Sequence, residues 1–395
     1  MFVDEKYIVD IRRQLHMYPE LGFDLPVTLA LVKRELENAG IPYTEKYGKS
    51  AIVGYINPDK TDFTIGVRAD MDALAITERT DVPYVSKIDG CMHACGHDAH
   101  TAMLLGAAKA LKKMEKDINC RVILVFQPSE EGKTSGAELI VKDGLMDQID
   151  VMIAQHVDNT LPAGTIGACK KQSMAASRIF KVEFFGKSAH ATKPETGRDA
   201  IAAAVRFYNE AYLALAREVS PFEQYIFSVG KFEGGSAQNI IADYASMLIS
   251  FRSYDMAFDD FVVKKLQTLA ESIFNISGVK VKIDTVLKSR VLFNNPYLCD
   301  LLCAAGEKVV GKDRIVKVPR KMSSEDFAVY LAEKPGVFFR IGTRDMSREN
   351  YPQAHNSDFE IVEDALKYGS ETIVRFIVDN MEGIDKSKIE KSAAE

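Results

Sequence analysis

Short apolar runs alternate with amphipathic segments along the first part of the chain. Apolar runs at 63–70, 121–128 and 151–158 predict buried strands, and amphipathic stretches at about 4–16 and 27–39 predict helices. Nearly continuous apolar strands separated by helices are typical of a mostly parallel sheet covered on both faces. The pattern therefore predicts an α/β fold for this part of the chain.

The pattern changes between residues 178 and 288. Strands with alternating apolar residues flank two helices, giving the order βαββαβ of a ferredoxin-like sandwich, whose sheet keeps an edge or face free for a partner. The first of these helices carries apolar residues at helical spacing: Ile201, Val205, Tyr208, Tyr212 and Leu215. We expect this segment to form a separate domain.

The α/β pattern resumes after residue 288. It predicts helices at 296–310, from about 324 and from about 360, and a strand at 336–343. The last dozen residues are highly charged, and we expect them to be frayed. The prediction is a discontinuous catalytic domain (1–177 and 289–395) interrupted by an α+β domain (178–288).

Composition and charge exclude several classes of function. With 395 residues the chain can form two domains, and its net charge of −6 argues against nucleic-acid binding. No apolar stretch approaches the roughly 20 residues that a membrane span needs. The first residues mix charged and apolar side chains and lack a signal-peptide core, so a cytoplasmic location is expected.

The densest chemical signal is the segment CMHACGHDAH at 91–100. It holds three of the chain's seven histidines beside two cysteines, at the junction between a loop and a helix. Imidazole and thiolate are strong ligands for zinc-like metals at neutral pH, and a thiolate can bridge two ions. Cys95 and His97 are the candidate ligands. His100, one turn further, is either a ligand or a group that supports one.

Other candidate residues follow the ends of predicted strands, where open α/β sheets place their ligand sites. Glu130 and Glu131 follow one strand, and His156 ends another. We assign Glu131 and His156 as metal ligands and Glu130 as the base that acts on water. Asp70 could orient a ligand imidazole, and Asp72 is interpreted as a helix or turn cap.

Sulfur, nitrogen and oxygen ligands beside an uncommitted glutamate favour hydrolysis at two metal ions about 3.5–4 Å apart. The chain has no G-x-S-x-G nucleophile motif, and a metal-bound Cys95 would not act as a nucleophile. A purely structural zinc site normally has four ligands and no spare glutamate. A catalytically silent binding protein would not need Glu130.

The motifs resemble those of a known family. RADMDAL, MHACGHDAH, QPSEEG, GKSAHATKP, GGSAQNIIAD, SSEDFA and AHNSDF are similar to the aminoacylase, hippurate hydrolase and indole-acetyl-amino-acid hydrolase branch of the dinuclear metallopeptidases. The resemblance covers nearly the whole chain. It implies a catalytic domain split by an inserted lid and dimerisation domain, and hence a homodimer.

The resemblance also implies specific site residues. It adds His355 to the ligands Cys95, His97, Glu131 and His156, with Glu130 as general acid/base and Asp70 as partner of the metal centre. It implies that His190 reaches a neighbouring subunit's site to stabilise an oxyanion, and that Asn239 and Arg252 hold the substrate carboxylate. Two divalent ions per subunit follow, zinc or manganese, with nickel or cobalt as alternatives.

Two departures from the family pattern concern the substrate. Arg252 lies in ISFRSYD, where relatives have an Ile-Arg-Thr-like run, and Ser323 stands near Glu325 where glycine is frequent. The predicted function is hydrolysis of the amide bond of N-acetyl or aromatic N-acyl amino acids. The alternative is a dipeptidase or carboxypeptidase with the same metal centre.

Overall fold

The structure is a computed structural model that describes residues 2–394. Its helices are α1 (Glu5–Met17), α2 (Pro26–Asn38), α3 (His97–Lys113), α4 (Gly136–Lys142), α5 (Ala200–Glu218), α6 (Met256–Ser277), α7 (Pro296–Val310), α8 (Ala328–Glu333), α9 (Leu366–Asn380) and α10 (Lys386–Ala394). Its strands are β1 (Tyr43–Thr44), β2 (Ile52–Ile56), β3 (Thr64–Asp70), β4 (Arg121–Gln127), β5 (Val151–Pro162), β6 (Ile166–Ala168), β7 (Lys171–Met174), β8 (Ala176–Phe185), β9 (Ala189–His190), β10 (Tyr225–Gly234), β11 (Ile240–Ile241), β12 (Tyr244–Ser253), β13 (Lys280–Lys288), β14 (Leu292–Asn294) and β15 (Gly336–Arg344).

The chain divides into two compact units. The first unit comprises the residues up to 173, 293–320 and those from 326 onward, and the second comprises 174–292 and 321–325. The long stretch of the second unit is thus inserted between two parts of the first. Its limits lie a few residues outside the predicted boundaries at 178 and 288.

The first unit contains a seven-stranded sheet in the order β1-β2-β4-β3-β5-β15-β6. The four adjacent strands β4, β3, β5 and β15 run parallel, whereas β1, β2 and β6 add antiparallel pairs at the two sides. Every residue of β3 is buried, including Arg68 and Asp70 near its carboxyl end. The carboxyl ends of the parallel strands consequently meet at one edge, as the sequence pattern predicted.

Helix α3 packs closely against its neighbours in the first unit. A Cβ atom on Gly106 would lie 2.6 Å from Cγ1 of Ile8, so α1 can approach α3 only because residue 106 has no side chain. α1, α3, α9 and the central strands contribute to one hydrophobic core. This core fixes the start of α3, where the candidate metal ligands begin.

The second unit is a four-stranded antiparallel sheet in the order β10-β12-β8-β13, with α5 and α6 contributing to its own hydrophobic core. This order is that of a ferredoxin-like fold. β9 and β11 form a separate two-stranded ribbon in the same unit.

Two expectations about local structure were wrong. The charged end of the chain forms helix α10, because Ile384 and Ile389 (8% and 9% exposed) anchor it in the core. The helix expected from about 324 is the short α8, which starts at Ala328. The predicted helix α5 is present with Leu215 buried, although Ile201 and Val205 are exposed.

None of the helices in the described part of the chain is both long enough and apolar enough to cross a membrane.

Candidate metal centre

The first two candidate ligands flank a glycine at the start of α3. Gly96, between Cys95 and His97, has a φ of 85°, and a Cβ atom there would lie 2.5 Å from Cγ2 of Val157. Only glycine suits both the left-handed backbone and the contact with β5. The resulting turn allows Cys95 and His97 to face the same point.

The hydrogen bonds of His97 define which ring nitrogen is available to a metal. Nδ1 lies 2.8 Å from the carbonyl oxygen of Asp72, which can only accept, so Nδ1 carries the proton when the ring is neutral. Nε2 is buried and has no hydrogen-bond partner among the described residues. A buried lone pair without a hydrogen-bond partner is suited to binding a metal ion.

His156 presents the same arrangement from β5. Its Nδ1 lies 2.6 Å from the carbonyl oxygen of Val157, while Nε2 lies 3.6 Å from Sγ of Cys95. Burial, followed by the nearby His100 and Arg340, holds the pKa of His156 well below its usual value. His156 is therefore neutral and directs its lone pair at the thiol.

The two candidate glutamates lie in a tight turn after β4. Ser129 begins this turn with a φ of 54°, a left-handed conformation that is uncommon for a residue with a side chain. Both carboxylate oxygens of Asp72 accept hydrogen bonds from this turn. One accepts from the backbone N–H of Glu130 (2.9 Å) and the other from that of Glu131 (3.1 Å). Asp72 is thus the cap of this turn and sets where both glutamates point.

His355 comes from a loop far along the chain and also has a left-handed backbone, with a φ of 65°. Its backbone N–H donates to the carbonyl oxygen of Ala94 (2.8 Å), and its Nε2 lies 3.1 Å from Oε1 of Glu131. Hydrogen bonding to Cys95 and then to Glu131 raises the pKa of His355 to about 10. The ring of His355 is thus directed at the thiol of Cys95 and the carboxylate of Glu131.

These residues form two overlapping triads. The possible ligand atoms of Cys95, His97 and His156 lie within 4.8 Å of one another, and those of Cys95, Glu131 and His355 do so as well. Cys95 belongs to both triads, so its sulfur is placed where it could bridge two ions. Glu130 Oε2 is 4.0 Å from Nε2 of His97, next to the triads.

Asp70 lies at the end of β3, but its closest histidine is not one of the predicted ligands. Its Oδ1 is 2.6 Å from Nδ1 of His100, and its Oδ2 is 3.8 Å from Nε2 of His97. Burial would raise the pKa of Asp70, but Arg68 and the two histidines outweigh it, so this pKa lies well below its usual range. Asp70 is thus a buried carboxylate anion beside the site.

The structure places His190, Asn239 and Arg252 in the second unit. His190 and Asn239 adjoin on the β9–β11 ribbon, where the N–H of Ala191 donates to the carbonyl oxygen of Asn239 (2.9 Å). Arg252 lies on β12 and donates from Nη1 to the carbonyl oxygen of Met322 (2.9 Å).

Sequence reasoning missed a buried network next to Asp70. Arg68 bonds Asp70, Gln127 and Asp326, and it is fully buried. An arginine within the otherwise apolar run of β3 was the available signal, since a buried arginine requires carboxylate partners.

The fold and this site are those of a metal-dependent hydrolase: an open α/β sheet and its loops bring sulfur, nitrogen and carboxylate atoms that could bind metal to one place, with Glu130 beside them. Residues 66–379 match the model of Peptidase family M20/M25/M40. The chain belongs to this family, whose members include amide-bond hydrolases, and it is itself a hydrolase that acts on amide bonds.

Relatives and a solved structure agree with this membership. The chain is 34% identical over 368 residues to IAA-amino acid hydrolase ILR1-like 4 of Arabidopsis thaliana, covering 92% of this chain and 83% of the relative. It is 36% identical over 339 residues to N-acetyl-L-cysteine deacetylase of Bacillus subtilis, covering 86% and 81%. The crystal structure of the Bacillus subtilis YXEP protein, described as a dinuclear metal binding peptidase from the M20 family, has a TM-score of 0.82 at 27% identity and covers 96% of this chain and 99% of that one.

Proposed function

We propose that this protein hydrolyses the amide bond of N-acyl amino acids at a centre of two divalent metal ions. The observation that carries the proposal is the pair of triads sharing Cys95, because its sulfur lies within 4.8 Å of possible ligand atoms of His97 and His156 on one side and of Glu131 and His355 on the other. In this proposal Cys95, His97 and His156 hold one ion, and Cys95, Glu131 and His355 hold the other. Zinc or manganese suits this mixed ligand set, and nickel or cobalt could replace them.

Two ions at this site would lower the pKa of a water molecule and polarise the carbonyl of the scissile amide. Glu130 is the proposed general base and acid: it takes a proton from the attacking water and delivers it to the leaving amine. Its backbone is held by Asp72 while its side chain is not part of either triad. Asp70 supports the centre as a buried anion.

His190 is the proposed oxyanion donor. The N–H of Thr192 donates to Nδ1 of His190 (3.3 Å), so in the neutral ring the proton lies on Nε2. Nε2 has no hydrogen-bond partner among the residues described, and the side chain is exposed. A free N–H donor on an exposed ribbon suits His190 of the partner subunit for stabilising charge on a substrate oxygen.

Arg252 and Asn239 are proposed to hold the substrate carboxylate. Within the described part of the chain no carboxylate pairs with Arg252, which is half-buried, and burial lowers its pKa. A guanidinium without an acidic partner retains donors for a bidentate bond to a free carboxylate. This would select substrates that end in an amino acid with a free carboxyl group.

Assembly as a homodimer through the second unit is part of the proposal. Strand β10 is an edge of the sheet and exposes Ile226 and Phe232 (40% and 41%), and Leu213 of α5 is 57% exposed. Exposed apolar side chains on an edge strand are suited to pairing with a second copy of the chain. We also propose that the protein is located in the cytoplasm.

The test is amine release from a panel of N-acetyl amino acids, N-benzoyl amino acids and dipeptides, using chelator-stripped protein with zinc or manganese added back. We expect activity to return with metal and to favour the N-acyl amino acids. Hydrolysis of the dipeptides alone would replace this substrate class with a dipeptidase. Activity that survives complete metal removal would refute the metal centre.

A further inference from the structure

A chain of buried polar side chains lies next to the first triad of the metal centre and includes none of the proposed ligands. It begins at Asp326, whose Oδ1 is 2.8 Å from Nη2 of Arg68. Arg68 also donates from Nε to Gln127 (2.9 Å) and from Nη1 to Oδ2 of Asp70. The guanidinium is therefore fixed by Asp326, Gln127 and Asp70 together, and from this fixed position it donates to one oxygen of Asp70.

The chain continues through His100. Its Nδ1 lies 2.6 Å from Oδ1 of Asp70, and its Nε2 lies 2.9 Å from the backbone nitrogen of Val157. A backbone N–H can only donate, so Nε2 must accept and the proton of the neutral ring must lie on Nδ1. Both ring nitrogens of His100 are thus in use, which leaves it without a lone pair for a metal.

The bond to Val157 has a direct geometric consequence for the adjacent ligand. Val157 follows His156, and its carbonyl oxygen accepts from Nδ1 of the His156 ring (2.6 Å). The backbone of a single residue, Val157, therefore connects His100 to the ligand whose Nε2 faces Cys95. The rings of His100 and His156 also lie in contact, with centroids 4.4 Å apart.

We propose that Arg68 and His100 are positioning residues for the metal ligand His156. Arg68 orients Asp70, Asp70 holds His100 in a single tautomer, and His100 fixes the backbone that aims the His156 ring. In the second triad the backbone N–H groups of Glu131 and His355 donate elsewhere, to Asp72 and to the carbonyl oxygen of Ala94. We therefore expect changes at Arg68 to weaken the binding of one ion more than that of the other. This positioning role rests on the proposed two-ion centre.

The experiment is a stepwise titration of chelator-stripped protein with Co²⁺ against a competing chelator, which resolves two affinities. The thiolate-to-cobalt absorption band of Cys95 reports the geometry at the shared sulfur. For Arg68→Met we expect a loss of about tenfold or more in the affinity of one ion, as for other residues that orient metal ligands. The affinity of the other ion should stay within about twofold, and the absorption band should shift.

Two further pairs of variants give a graded result. Arg68→Lys keeps the charge but not the planar fork, so its loss should be smaller than that of Arg68→Met. In His100→Gln the side-chain amide oxygen can accept near the position of Nε2. In His100→Asn the shorter side chain reaches only the position of Nδ1. His100→Gln should therefore retain more affinity than His100→Asn, and these variants test the inference even if Arg68→Met does not fold.

Arg178→Met is the matched control. Arg178 forms a buried ion pair with Asp259 in the second unit, so its loss should lower stability and leave both cobalt affinities unchanged. Unchanged affinities in folded Arg68 and His100 variants would overturn the positioning role alone. Equal weakening of both ions would also overturn it, because that result indicates general destabilisation. Wild-type protein that binds fewer than two ions would overturn the proposed metal centre itself.

Discussion

The two units of this protein differ in the side chains that they bury and expose. The first unit buries several charged groups, among them Arg12, Arg68, Asp70 and Asp98, and the second unit exposes many large apolar side chains, among them Leu213, Ile226, Phe232 and Phe274. Buried charges are costly unless their partners are fixed, and exposed apolar residues are unfavourable unless they are covered. The buried charges of the first unit thus surround the candidate metal centre, and the exposed apolar residues of the second suit the proposed dimer surface.

The largest effect on activity is expected for Glu130→Gln in the first unit. Removing the proposed base should lower kcat by about 10²–10⁴-fold, the usual contribution of general acid–base catalysis. Because Glu130 is outside both triads, the variant should still bind two ions, measured by metal analysis after gel filtration. Near-normal turnover in Glu130→Gln would remove this residue from its role.

His190→Ala changes the second unit and should give the next largest effect. Loss of one donor to a developing oxyanion costs about 10²–10³-fold in kcat. The metal content and the unfolding midpoint should stay unchanged, since His190 is exposed and contributes to neither core. A normal kcat would show that the second unit does not take part in catalysis through His190.

The stability of the folded protein at low pH should depend on the buried charges of the first unit. Burial would raise the pKa of Asp98, but Arg12 and then His16 outweigh it and hold this pKa far below its usual range. The folded protein then lacks a proton that the unfolded chain binds below about pH 4, so stability is present above that pH and is lost as the pH falls.

Asp98→Asn removes this contribution. Its free energy of unfolding at neutral pH should fall by about 1–3 kcal/mol, the range for a buried group left without its partner. Its stability should also decline less steeply with acid than that of the wild type. Denaturant unfolding of the metal-free proteins between pH 5 and pH 2 measures both quantities, and parallel curves would contradict the assignment.

The smallest expected effect on stability is in the second unit. Changing Ile226 and Phe232 to lysine on the edge strand β10 should alter the free energy of unfolding of a dilute sample by about 0.5 kcal/mol or less per site. The same double variant should dissociate the proposed dimer, as seen by sedimentation velocity. Thr268→Lys on α6 is a control for added charge, and a double variant that remains dimeric would place the interface elsewhere.

The sequence predicted those parts of the site that lie in regular positions. Glu131 follows β4 and His156 lies within β5, so the topology of a parallel sheet brings them to the same region. His355 could be assigned only by resemblance, because its place depends on a left-handed loop residue bonded to Ala94. No local pattern indicates such a long-range contact.

The supporting residues were harder to predict than the ligands. Arg68 and Asp326 are 258 positions apart, and the bond between them depends on packing that periodicity does not specify. Helix α10 was missed for the opposite reason. Its charged residues dominate the composition, yet two isoleucines are enough to anchor it in the core.

The order of segments in the first unit determines when during synthesis the protein can work. In the sheet, β5 lies between β3 and β15, and β15 begins at Gly336, after the whole inserted segment. A nascent chain that has reached residue 292 has the second unit nearly complete, but β5 still has an unpaired edge and His355 has not been made. The ribosome must therefore add about sixty further residues, about 3–12 s of elongation, before His355 can join the other candidate ligands.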